Sequence, residues 1–153
     1  MGLLRFQMLA SFHPTLTRRM EKAFPMGQVM TWLDDGYRLA HTKYGKRTSC
    51  GHVAWAVLRI GLSGRASPEL QAFAKSLLSC FWPARDPMRF RRIVFCLLAG
   101  QKAEPIADEF RLPDTRAVHN IKHRAIAYLI RGIGDRYGLV PDATGSHFVF
   151  AST

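Results

Sequence analysis

Apolar residues recur at steps of three and four along most of this chain, and strict alternation of apolar with polar residues is almost absent. Residues 3–12 form a short apolar piece that ends at His13-Pro14. Residues 15–24 fit another short helix, with Thr15 or Thr17 as its cap and Pro25 closing it. From 26 to about 44, Met26, Val29, Met30, Leu33, Tyr37, Leu39 and Ala40 mark one face of a longer helix. The run YGKRTSCG (44–51) reads as a loop with a basic edge. A helix over 51–62 is almost wholly apolar apart from Arg59, which predicts the buried centre of the fold.

The next elements announce their own starts. In SPEL, Ser67 stands at an N-cap, Pro68 at the first helical position and Glu69 in the positive first turn; DPMRF repeats the device with Asp86 and Pro87. The first of these helices is expected to run to about Trp82, before Pro83. The second is expected to run to Ala99 and stop at Gly100. Two more follow, over about 103–110 and 114–133, the latter capped by Asp114 and fraying at Gly132 and Gly134. The only extended signal is HFVF (147–150) in the tail. The fold class is therefore all-α. The pattern suits one domain or two small helical lobes sharing a core. We divide it into an N-terminal bundle (1–84), a second helical module (85–136) and a tail (137–153).

Charge changes the picture. The chain has 22 Lys plus Arg against 11 Asp plus Glu, a formal net charge of +11. An excess of that size points to an anionic partner: nucleic acid first, an acidic protein surface or membrane surface second. Residues 1–84 carry a net +7 and residues 85–136 a net +5. The charge is spread over folded segments and does not form a basic arm. A hydrophobic fraction of 48% with 22% charged residues excludes a disordered chain. MGLLRFQMLASF is too short to span a bilayer and Arg5 interrupts it. MGLLRF also lacks the residue that a myristoylation signal wants, since Phe6 stands there. No membrane partner is expected, and a cytoplasmic location is.

Little else in the chain suggests chemistry. Cys50, Cys80 and Cys96 are far apart and form no metal-binding pair, so they read as reduced core thiols with no metal site. Asp34 and Asp35 are adjacent, and neighbours on a helix point about 100° apart, which suits a solvated face better than a catalytic pair. Cys50 and His52 stand too close in sequence to act as nucleophile and base. GLSGRAS (61–67) lacks the Lys-Ser/Thr ending of a phosphate loop, and its Gly64-Arg65 reads as an exposed basic turn. Trp32, Trp55, Trp82, Phe73 and Phe81 fit a core better than an exposed partner patch. YGKRTS (44–49) is either a solvated loop or a second contact to a nucleic-acid backbone. Neither a cofactor nor an enzyme is expected.

The informative stretch is EPIADEFRLPDTRAVHNIKHRAI, residues 104–126. A short helix with Ile106, Ala107 and Phe110 inward breaks at Pro113-Asp114. A longer helix follows, with Val118, Ile121, Ala125, Ile126 and Leu129 on one stripe. That is a helix-turn-helix arrangement, in which the last helix enters the major groove. On the side opposite the stripe fall Arg116, His119, Asn120 and His123, residue types that can read base edges. Lys122, Arg124 and Arg131 flank them and suit phosphates. No acid occurs between 115 and 133, which a merely solvated helix face would not require.

RRIVFCLLAG and EPIADEFRLPDTRAVHNIKHRAIAYLI together resemble region 4 of sigma-70-type factors and the related helix-turn-helix of phage late-gene regulators. The matching residues are Ile106, Ala107 and Asp108, then Phe110, Leu112, Asp114 at the cap, Val118, and His123-Arg124-Ala125. The resemblance covers about 45 of the 153 residues. Arg111 stands where the family prefers Gly, and Pro113 lengthens the turn by a residue. Residues 1–84 show no promoter-melting signature, which argues against a complete sigma factor. A basic helical chain with this module near its end is similar to Q-type antiterminators of lambdoid phages and to late regulators of gene transfer agents. The resemblance implies a nucleoid-associated protein that binds double-stranded DNA at a promoter-proximal element. It also implies loading onto RNA polymerase, with elongation factors and nascent RNA as further partners. Two rival expectations are a promoter-binding activator or repressor, and a module that docks at the sigma-region-4 site of polymerase without binding DNA.

Overall fold

The structure is a computed structural model that describes residues 24–151. Six α-helices follow in order: α1 (Met26–Tyr44), α2 (Cys50–Leu62), α3 (Pro68–Leu77), α4 (Pro87–Leu98), α5 (Ala103–Glu109) and α6 (Thr115–Tyr137). One-turn 3₁₀ segments cover Gly45–Arg47 and Leu78–Phe81, and a two-stranded hairpin, β1 (Leu139–Pro141) and β2 (Phe148–Phe150), closes the described chain. The all-α class holds. The helices expected over 3–12 and 15–24 lie outside the described residues, except for Phe24.

Helix α2 is the buried centre, as its composition predicts: Cys50, Gly51, Val53–Leu58, Gly61 and Leu62 are all buried. Helices α1, α3 and α6 pack around it. Glycine permits close approach between these helices. A Cβ on Gly36 of α1 would overlap the Val57 side chain and lie 2.9 Å from the Val53 carbonyl oxygen. Among the described residues one hydrophobic core runs from Val29 to Phe148 and draws on α1 to α3 as well as on α4 to α6, so the helices on both sides of residue 84 share it. Trp32 stacks on Phe73 with centroids 4.9 Å apart, and Trp55 and Phe81 are buried too. Trp82 alone of the tryptophans is exposed. Cys50, Cys80 and Cys96 are buried and in no disulfide.

Three predicted caps are present. The Ser67 hydroxyl accepts from Leu70 N at 3.2 Å, the Asp86 carboxylate from Arg89 N at 3.3 Å and the Asp114 carboxylate from Ala117 N at 2.9 Å. Two expected boundaries need correction, and the tail's extended piece gains a partner. The helix from Ser67 does not continue to Trp82: it tightens at Leu78 into a 3₁₀ turn. There the Ser76 and Ser79 hydroxyls donate back to the carbonyls of Phe73 and Ser76, which competes with regular helix, and all of Leu78–Phe81 becomes buried. The last helix does not fray at Gly132 and Gly134. It continues to Tyr137 because Ile133 is fully buried and Arg136 reaches Ser76 O at 2.9 Å; Gly138, left-handed at φ 66°, ends it. The tail's extended piece has a partner that alternation did not reveal. Strand β1 pairs antiparallel with β2 in the register Leu139–Phe150, Val140–Val149, Pro141–Phe148.

Candidate nucleic-acid interface

Helix α5 and α6 are joined by residues 110–114, and the turn has a defined geometry. Leu112 N donates to Ala107 O at 2.8 Å and Arg111 N to Asp108 O at 3.4 Å, the paired bonds of a Schellman ending. Such an ending needs a left-handed residue after the cap. Arg111 is that residue, at φ 56°, the one non-glycine with positive φ among the described residues. The departure from Gly at this position is thus a substitution in side chain and not in backbone shape. Arg89 of α4 holds the turn from below, its guanidinium donating to Phe110 O at 2.6 Å. Arg92 lies over the Phe110 ring at 5.5 Å.

Past Asp114, α6 divides as its sequence predicts except at Ile126, which is half-buried beside α2 because it lies at the edge of the inward stripe. Val118, Ile121, Ala125, Leu129 and Ile133 are buried in the core. Arg116, His119, Asn120, His123, Arg124 and Arg131 are exposed, and Lys122 is half-buried. Two of the three flanking cations, Lys122 and Arg124, lean to opposite sides. Lys122 Nζ sits 5.2 Å from the Trp55 ring of α2, and the Arg124 guanidinium 5.9 Å from the Phe90 ring of α4. Between them Arg116, His119, Asn120 and His123 form a crest open to solvent. Among the described residues none of these seven side chains takes part in an ion pair. Arg116, His119, Asn120, Lys122, His123, Arg124 and Arg131 therefore lie on or beside one continuous outward face of α6.

Sequence reasoning passed over a second group. Beside Arg124, the start of α4 brings Arg85 and Arg89 to a groove of about 580 Å³ that also contains Asp86. The inward set Phe90, Ile93 and Val94 could have marked Arg92 as outward, since it stands on the opposite face of the same helix; Arg89, one turn before Ile93, lies at the edge of the buried face and is exposed there. Arg91, between them, is buried, and burial lowers its pKa from the ordinary arginine value. Helix α5 differs in sign: Glu104, Asp108 and Glu109 are exposed on it. A polyanion would be repelled there and attracted along α6 and the start of α4.

On the other flank of α6, the ring of His52 stacks on Tyr44 at 3.7 Å and 4°. Its Nδ1 accepts from Ser49 N at 3.1 Å while the Ser49 hydroxyl accepts from His52 N at 3.3 Å, a capping box that starts α2. Burial first, then the ammonium charges of Lys122 and Lys43, hold His52 below its ordinary pKa. This pairing of α1, α2 and α6 has no local signature. Among the described residues no helix is long and apolar enough to cross a membrane. Comparisons with protein-family models, with curated proteins and with solved structures return no match for this chain.

Proposed function

We propose that the chain is a DNA-binding transcription regulator that reads a promoter-proximal duplex with α6 and acts through RNA polymerase, as a Q-like antitermination factor. One observation carries the reading: the crest of α6 is exposed, free of acids, and rich in side chains that can donate to base edges and phosphates. Arg116, His119, Asn120 and His123 take the base edges; Lys122, Arg124 and Arg131 take phosphates, with Arg85 and Arg89 extending that track. The turn between α5 and α6 supports a helix-turn-helix role, because its Schellman ending fixes how α6 leaves α5. The acids on α5 keep the duplex on the α6 side. The action on polymerase rests on the sigma-region-4 resemblance.

Terminator readthrough by purified RNA polymerase, with and without this protein, tests the reading. Readthrough that depends on the promoter-proximal element is the expected result. A change in initiation with unchanged termination would leave an activator or repressor in its place. Polymerase binding without any DNA binding would leave a docking module.

A further inference from the structure

Between the end of α1, the middle of α2 and the flank of α6 lies a half-open cleft of about 310 Å³. Its floor is apolar: Ala40, Ala56 and Trp55 are buried there, and Ile126 closes the side from α6. The small side chains of Ala40 and Ala56 are what leave the space. Its rim is cationic: Lys43, Arg59 and Lys122 come from three different helices, and among the described residues no carboxylate lines the cleft. Among the described residues none of the three cations is ion-paired. Lys43 Nζ lies 5.4 Å from the Tyr44 ring and Lys122 Nζ 5.2 Å from Trp55, so charge and aromatic surface are interleaved. The pKa of His52 is lowered first by burial and then by the charges of Lys122 and Lys43, which agrees with positive charge gathered at this rim.

An apolar slot with a positive rim fits a flat, weakly polar group that carries an anion. A nucleotide has that composition, its base for the floor and its phosphates for the rim. The volume is at the low end for a small-ligand site, enough for one such unit and not for a duplex. A paired, stacked base could not enter. Lys122 also borders the crest of α6, so a strand leaving that face meets the cleft directly.

We propose that this cleft holds one unpaired nucleotide of a single-stranded segment that continues from nucleic acid bound along α6. The proposal rests on the reading of α6 as a nucleic-acid face. It makes the chain a reader of a junction between duplex and single strand, with Lys43 and Arg59 on the phosphates and the Tyr44–Trp55 side against the base.

The test is fluorescence anisotropy with labelled twelve-nucleotide thymidine and uridine strands and with a duplex of equal length. The full chain is compared with Lys43→Glu/Arg59→Glu, with Leu39→Asp at the exposed lip of the cleft, and with Lys46→Glu/Arg47→Glu. The last variant makes the same change of charge on exposed residues that do not line the cleft. All the substituted side chains are exposed, and a thermal melt confirms that each variant is folded. Lys43→Glu/Arg59→Glu and Leu39→Asp should each weaken single-strand binding at least about tenfold, with less than about a threefold effect on the duplex. Lys46→Glu/Arg47→Glu should weaken both strands and duplex by similar, smaller factors. Equal losses in the two double variants, unchanged single-strand binding in the cleft variants, or capture of an acidic peptide in preference to either strand would overturn the proposal. Duplex binding that survives those results leaves the α6 reading standing. Single-strand binding through the cleft with no duplex binding would overturn the α6 reading instead.

Discussion

Replacing Arg111 by Gly should make the protein more stable, although it removes a side chain and a charge. Arg111 is held at φ 56° because the Schellman ending of α5 requires a left-handed residue at that point. An L-residue with a Cβ in that region costs about 1–2 kcal/mol. Glycine avoids this cost but gives the unfolded chain more freedom, which takes back about 0.5–1 kcal/mol. The difference is a net stabilisation of about 0.5–1 kcal/mol. For a chain of this size that corresponds to a rise in Tm of about 1–4 °C. Arg111→Ala is the control, since it removes the same guanidinium but keeps the Cβ and its strain. Urea unfolding followed by circular dichroism measures both, and the slope of the transition should be unchanged. Arg111→Gly with a midpoint at or below that of Arg111→Ala would refute the strain argument, and with it the view that this turn has a fixed shape.

Three further outcomes follow from the structure. Gly36→Ala should destabilise by about 1–2 kcal/mol in the same urea assay, because overpacking against Val53 O and Val57 outweighs alanine's better helix propensity; a neutral result would mean that α1 and α2 can separate freely. His52 is held below its ordinary pKa, so the neutral ring stabilises the fold fully above about pH 6.5, and that contribution is lost as pH falls through the lower folded value. Unfolding midpoints between pH 7.5 and 5 should fall in the wild type and fall less in His52→Gln; parallel profiles would contradict the assignment. Burial, with Asp142 adding to it, pushes the Cys50 thiol up to about 11, and Cys80 and Cys96 are buried too. A thiol reagent at pH 8 should therefore modify none of the three cysteines until denaturant is added, and fast labelling of the native chain would place at least one at the surface.

Local chemistry was legible in the sequence wherever one residue answers one backbone need. Ser67, Asp86 and Asp114 cap helices because each has a short acceptor followed by free amides, and all three were found by reading forward along the chain. The buried seam of α6 was equally open to inspection, since Val118, Ile121, Ala125 and Leu129 keep the helical step. What failed to show were features settled by distant partners. Gly132 and Gly134 look like a helix end, but Ile133 and Arg136 are anchored in the core and carry α6 on to Tyr137. Leu78–Phe81 has helical spacing, yet two serine hydroxyls and the demand to bury four successive residues turn it into 3₁₀. The crest of α6 was visible as a cluster of residue types. The contacts of its flanking cations were not, because Lys122 meets Trp55 from 67 residues away and Arg124 meets Phe90 from 34. The arginines at the start of α4 belong to the same face only through the fold.

The claim that α6 turns a reading face to DNA is tested most directly by titrating the protein onto a duplex selected for tight binding and onto a scrambled duplex, across a range of salt. The account predicts that Arg116→Ala narrows the difference between the two duplexes by about 1–3 kcal/mol, while Arg124→Ala weakens both and lowers the salt slope by about one. If the wild type binds both duplexes alike and neither variant differs from it, α6 is a solvated helix and the account is wrong.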